Sequence, residues 1–134
     1  IKFVNIIIII ILALLIGGIW KSVKYKNLKP DPDLYQMVFL KNDQAYFGKL
    51  HSAFSQYPYL TEVYYLNSTE QVDAKGRPIG VVDNILRKRG IDEIHKPTDK
   101  IYFAKENILY WENISADSRV AQGIRAAKEA GVAK

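Results

Sequence analysis

The first stretch of the chain is apolar with no period. Between positions 3 and 20 the only polar side chain is Asn5, and the run reads IIIIIILALLIGGIW from Ile6 to Trp20. An α-helix rises ~1.5 Å per residue, so this stretch would span roughly 27 Å, just under a hydrocarbon core. The pattern predicts a hydrophobic helix with a basic flank over residues 1–26, either transmembrane or within an assembly core. Phe3, Asn5, Ile8, Leu12, Leu15 and Trp20 are the residues expected to meet that core. Lys21, Lys24, Lys26 and Lys29 follow as an interfacial basic set, with Trp20 as an aromatic anchor. A signal peptide would have a shorter apolar core and a small-residue exit. A buried helix of a soluble domain fits less well, because consecutive isoleucines leave no polar face.

The period then changes. Pro30 and Pro32 restrict the backbone, so residues 27–33 read as a short, stiff linker. Beyond them the alternation is that of strands. YQMVFL (35–40), the turn Lys41-Asn42-Asp43 and QAYFGKL (44–50) form a hairpin, and EVYYL (62–66) is a third strand. A polar loop from 67 to 78 precedes a fourth strand at 81–88, where a short helix ended by Gly90 is the competing assignment. IYF (101–103) and ILYW (108–111) form a last strand pair or one interrupted strand, with 104–107 turning between them. Ser115 or Asp117 is expected to cap a final helix over 115–134. Val120, Ile124 and Ala127 share one thin face of it, which Gly123 and Gly131 weaken.

The fold class expected is therefore α+β: the hydrophobic helix, a small antiparallel β meander or SH3-like or Sm-like barrel over 34–114, and a short C-terminal helix. Gly48 in the second strand suits the sharp bend of a small barrel.

Composition narrows the chemistry. With no cysteine, disulfides, thiolate metal sites and cysteine nucleophiles are excluded. The net charge of +5 comes largely from the lysines after the helix, so nucleic acid is not the expected partner. His95, in Asp92-Glu93-Ile94-His95, reads as a solvated loop, and His51 has no ligand partner at metal-binding spacing. No nucleophile elbow, phosphate loop or H-E-x-x-H is present, so no catalytic residue, metal or cofactor is expected. Arg87-Lys88-Arg89 reads as a solvated edge that discourages strand addition. Asn67-Ser68-Thr69 and Asn113-Ile114-Ser115 match the glycosylation sequon.

The aromatic residues are the remaining signal. Adjacent aromatics on a strand face opposite ways, so one of Tyr64 and Tyr65 belongs to the core and the other to the surface. Tyr64, Tyr65, Tyr102 and Tyr110 are the candidate contact residues, with cross-strand pairing as the alternative use.

FLKNDQAYFGKL, YPYLTEVYYLN and IYFAKENILYWENI are similar to segments of uncharacterised single-pass proteins of the candidate phyla radiation of bacteria, a resemblance that covers most of the chain and implies an anchored β domain. The helix from Ile1 also resembles the start of mature type IV pilins. Pilins carry a glutamate at the fifth position, where this chain has Asn5, and Pro30 and Pro32 end the helix earlier than a pilin stalk. That likeness implies a processed N-terminus and packing of helices in a filament core. On the residues present, the lysines after the run favour a cytoplasmic β domain, and a basic leader upstream would reverse this.

The function expected is that of a non-enzymatic structural protein of the cell envelope, most concretely a pilin-like subunit of a surface filament. It would be membrane-anchored or at the cell surface, with an extracytoplasmic β domain. Its partners would be a lipid membrane or hydrophobic filament core, together with further copies or an envelope protein. The alternative is a monomeric membrane-tethered module that binds a peptide, a glycan or an envelope partner.

Overall fold

The computed structural model describes residues 2–25 and 28–131, with side chains at 5–19, 28–80 and 84–131. Helix α1 (Lys2–Tyr25) is followed by β1 (Tyr35–Leu40), β2 (Ala45–His51), β3 (Tyr59–Val72), β4 (Pro78–Lys88), β5 (Lys100–Tyr102), β6 (Ile108–Ile114) and α2 (Arg119–Glu129). The β1–β2 turn falls on Lys41-Asn42-Asp43. The Leu40 N–H donates to the Gln44 carbonyl (2.9 Å), and Asp43 closes the loop at φ 63°. Asp tolerates this left-handed conformation, which lets a three-residue loop join twisted strands.

All pairings are antiparallel, in the order β4-β3-β2-β1-β6. β5 lies beside Tyr59–Thr61, on the edge of β3 that β4 occupies further along. β5 and β6 do not pair with each other. A 3-10 turn, Lys105–Asn107, carries the chain from β3's edge across to β1.

Two expectations are corrected. The described residues form one six-stranded antiparallel sheet with two α-helices, and among them no ladder joins the ends of the strand path, β4 and β6, into a closed barrel. The transmembrane reading also falls, because no helix among the described residues is long and apolar enough to cross a membrane. The membrane-anchored or cell-surface placement rested on that span and falls with it.

The two sheet faces carry separate cores, because neighbouring strand residues point opposite ways. Val38, Leu50, Leu60, Val63 and Phe103 pack on one face, flanked by Tyr46, Ile101, Ile108 and Trp111. Phe47, Tyr64 and Ile124 pack on the other, beneath α2. Leu60 and Val63 share a face although an odd number of steps separates them, so β3 carries an extra residue there. Glu62 sits at φ 53°, and the β2–β3 register shifts between Phe47 and Lys49. Gly48 lies opposite this bulge, where a Cβ would come within 2.5 Å of the Thr61 carbonyl oxygen. Gly48 thus accommodates backbone against backbone at the bulge.

α2 packs more firmly than its thin stripe suggested. Ile124 is wholly buried, and the Ser118 hydroxyl caps the helix by accepting from the Ala121 N–H (3.1 Å). A Cβ on Gly123 would stand 3.0 Å from a Leu86 methyl, so the glycine allows close approach to β4. The outer half of the β3–β4 hairpin extends past the other strands, and residues 66–72 are exposed.

Candidate functional site

α1 is the first part of the candidate site. A helix turns ~100° per residue, so Ile6 to Ile11 sample every direction around it. All six are exposed, from 49% at Ile8 to 64% at Ile9. Leu12, Leu15, Ile16 and Ile19 are exposed as well, and so is Asn5. No face of the described helix is covered by the chain's own β domain. The side chains of Phe3, Trp20, Lys21 and Lys24, and the whole of Lys26, lie outside the described residues. Lys29 is exposed beside the sheet.

The linker is fastened to the sheet by Gln36, a residue with no chemical motif to mark it. Its side chain is almost fully buried. Nε2 donates to the Asp31 carbonyl (2.8 Å), the Leu34 carbonyl (3.0 Å) and Asn113 Oδ1 (2.9 Å), while Oε1 accepts from the Leu50 N–H (2.8 Å). Asn113 Oδ1 also accepts from the Asp31 N–H (3.0 Å). Lys49 Nζ adds bonds to the Pro32 and Leu34 carbonyls, both 2.9 Å, and lies 4.6 Å from the Tyr35 ring centroid. The turn that receives α1 is thereby tied to β1, β2 and β6.

Two open clefts flank this turn. One, of about 560 Å³, lies between Pro30–Pro32 and the His51–Phe54 loop, where the charged groups Lys49 and Glu62 already have partners within the chain. The other, of about 510 Å³, runs along β6 and is lined by Leu28, Phe54, Ile108, Leu109, Tyr110 and Trp111. Leu28, Phe54, Leu109 and Tyr110 are between 45% and 59% exposed. Lys29 and Lys105 are its charged lining residues, and no carboxylate lines it. Tyr110 stacks on Phe39 of β1 at 5.2 Å between centroids.

The four candidate tyrosines separate. Tyr64 is taken into the core, 1% exposed, with a hydroxyl that has no partner among the described residues and a pKa raised by burial. Tyr65 is half-buried beside Tyr46; burial and the carboxylate of Glu93 raise its pKa. Tyr102 and Tyr110 are exposed. Tyr102 belongs to a cross-strand ladder, the alternative use named for these tyrosines. His51 stacks on Tyr59 (4.9 Å), Tyr59 packs on Tyr102 (5.2 Å), and Lys100 Nζ lies 4.2 Å from the Tyr59 centroid. The stack leaves Tyr102 60% exposed. Phe54 and Leu28 were missed, since each is an isolated apolar residue that only the fold brings to the groove, and Leu109 was read only as part of the ILYW strand.

The charged groups are structural. The basic trio lies at an end of the strand order, as read from the sequence, but its charges are paired within the chain and not simply solvated. Lys88 is buried as an ion pair with Asp99 and lies over the Tyr64 ring (5.1 Å), without a well-aligned hydrogen bond. Arg87 pairs with Asp92 (3.1 Å), and Arg89 donates to the carbonyls of Thr98 and Lys100. Together they hold the loop that carries His95, which is exposed. Across the α2 face, Lys128 pairs with Glu62, which also accepts from the Tyr35 hydroxyl (2.8 Å). Burial pushes the Glu62 carboxyl upward, but hydrogen bonds from Lys128 and Tyr35 outweigh it and hold the group below its usual range. The same contacts raise Lys128 well above an ordinary lysine, the bond to Glu62 first. His51 bonds Thr61 Oγ1 (2.9 Å), and no cluster that could hold a metal ion occurs among the described residues.

No protein-family model and no curated protein matches the chain.

Proposed function

We propose that the chain is a non-enzymatic structural subunit, pilin-like in plan, whose α1 packs with the α1 helices of other copies while the β domain forms the outer layer. The observation supporting this is the exposure of apolar side chains on every described face of α1. Burying such surface is worth about 25 cal/mol per Å². A single neighbour covers one stripe of roughly 100°, so a helix that is apolar all round needs several. A bundle or filament core provides them, and a closed dimer does not. The β domain has two cores of its own, and neither includes a described side chain of α1.

Sedimentation and negative-stain microscopy of the full chain test this reading. Multi-copy particles or filaments are expected, and Ile8→Lys with Leu15→Lys should reduce them to monomers that keep the β domain folded. A full chain that stays monomeric overturns the proposal, as does uptake by lipid vesicles in place of self-association.

A further inference from the structure

β3 continues where β2 stops. β2 keeps to β3 as far as the pair Tyr46 and Tyr65, whereas the β3–β4 ladder runs on to Val72. On the side that β2 vacates, no strand among the described residues lies beside positions 67–70. A two-stranded ribbon is marginal in water, and this one leaves Leu66 40% and Val72 56% exposed. We infer that this open edge of β3 pairs antiparallel with the same edge of a second copy, about a two-fold axis at Thr69. The inference rests on the assembly reading above and names a contact that its β domains make.

The strand is self-complementary in that register. Thr69 meets Thr69 of the second copy, Ser68 meets Glu70, and Leu66 meets Val72. Hydroxyls face polar partners, the apolar pairs close both ends, and the two Glu70 carboxylates are offset instead of opposed. The ends fit as well. β2's departure leaves a notch of about 310 Å³, lined by Ala45, Tyr46, Leu66 and Ser68 among others, which takes the second copy's Val72. That copy's 73–77 turn follows, so its Lys75 arrives beside Asp43, which lines the same notch. Both side chains are exposed, and neither carries an ion pair among the described residues. The ribbon's other edge suits pairing less, because Pro78 of β4 has no N–H and Gly80, at φ 73°, bends the strand. A two-fold contact closes on itself, so it orients copies two by two while α1 joins the pairs. Its few rungs bury less than the ~1,000 Å² of a stable interface, so it forms at the high local concentration that the α1 bundle creates.

The chain has no cysteine, so introduced ones report without background. Residues opposite each other in an antiparallel pair hold their Cβ atoms roughly 5 Å apart, near the ~4 Å of a disulfide. The test uses assemblies of the full chain under mild oxidation, read on a non-reducing gel. Thr69→Cys is expected to form covalent dimers, and Ser68→Cys mixed with Glu70→Cys should link to each other more than either links to itself. His95→Cys, equally exposed but far along the sheet from this edge, should stay monomeric. Lys75→Asp should raise the concentration needed for assembly about fivefold, and adding Asp43→Lys should restore it. The pairing is overturned if assemblies form without the links at 69 and between 68 and 70, or if His95→Cys links as readily. It is overturned too if Lys75→Asp assembles like the parent. Those results leave the assembly reading standing. A parent chain that does not assemble removes both.

Discussion

Gln36 uses both ends of its amide to tie the linker to β2 and β6, and its burial leaves no water to replace a lost partner. Gln36→Leu keeps the volume but leaves the Leu50 N–H and Asn113 Oδ1 without that contact. The expected cost is about 2–3 kcal/mol, read from the urea midpoint. A midpoint equal to the parent's would show that the clamp contributes nothing. Glu62 provides a pH-dependent counterpart. Its carboxyl is depressed from 4.5, so its contribution is fully present above that value and is lost as pH falls through the lower folded value. The partners are partly exposed, which limits the effect to under about 1 kcal/mol. Urea unfolding of the parent and Glu62→Gln should differ by a constant amount above about pH 5 and converge in acid. A gap that persists unchanged into strong acid assigns the effect to shape rather than charge. Neither residue was legible beforehand, because a glutamine in an alternating strand looks like any solvent-facing position. Gly48 stood out in sequence, but as the bend of a small barrel, whereas it admits a close backbone approach at a bulge.

At the scale of elements, β1 spans the range its alternation predicts, and the Lys41-Asn42-Asp43 turn is where the short polar residues put it. β3 runs far past EVYYL, because its outer half is polar on the surface and is held only by pairing with β4. Local hydrophobicity cannot reveal such a partner. β5 and β6 look like a hairpin in sequence, yet each pairs with a distant strand. α2 was read as marginal from three apolar residues and two glycines. Tertiary contact decides otherwise: Ile124 sits between Phe47 and Tyr64, and Gly123 lets the helix approach Leu86. Ile124→Ala should cost about 2–4 kcal/mol, the usual range for a buried aliphatic truncation, whereas Ser118→Ala at the cap should cost about 1 kcal/mol. Thermal unfolding of both variants checks the ranking. Equal shifts would mean that α2 is held by its cap and not by its seat on the sheet.

For the whole molecule, the sequence alone located an apolar helix, a stiff linker and an aromatic-rich β region. It could not show that the linker is clamped, that Tyr64 turns inward or that a groove forms beside β6. Those features arise from strand order, which one-dimensional pattern does not encode. The assembly reading makes a further demand on Asn5, a polar group on an otherwise apolar surface. Inside a helix bundle its amide needs a specific partner, so Asn5→Leu should change the size or register of the assembly more than Ile8→Leu. Sedimentation profiles that move equally for both would leave Asn5 without a special role.

The seating of β1 has a mechanical consequence. α1 leads through the clamped turn into a strand flanked on both sides, by β2 and by β6. Its ladder hydrogen bonds lie across the strand axis. A pull along α1 therefore strains many rungs in shear at once instead of unzipping them singly. Under tension, an array of such copies should yield where one helix slides past another, with each sheet still intact.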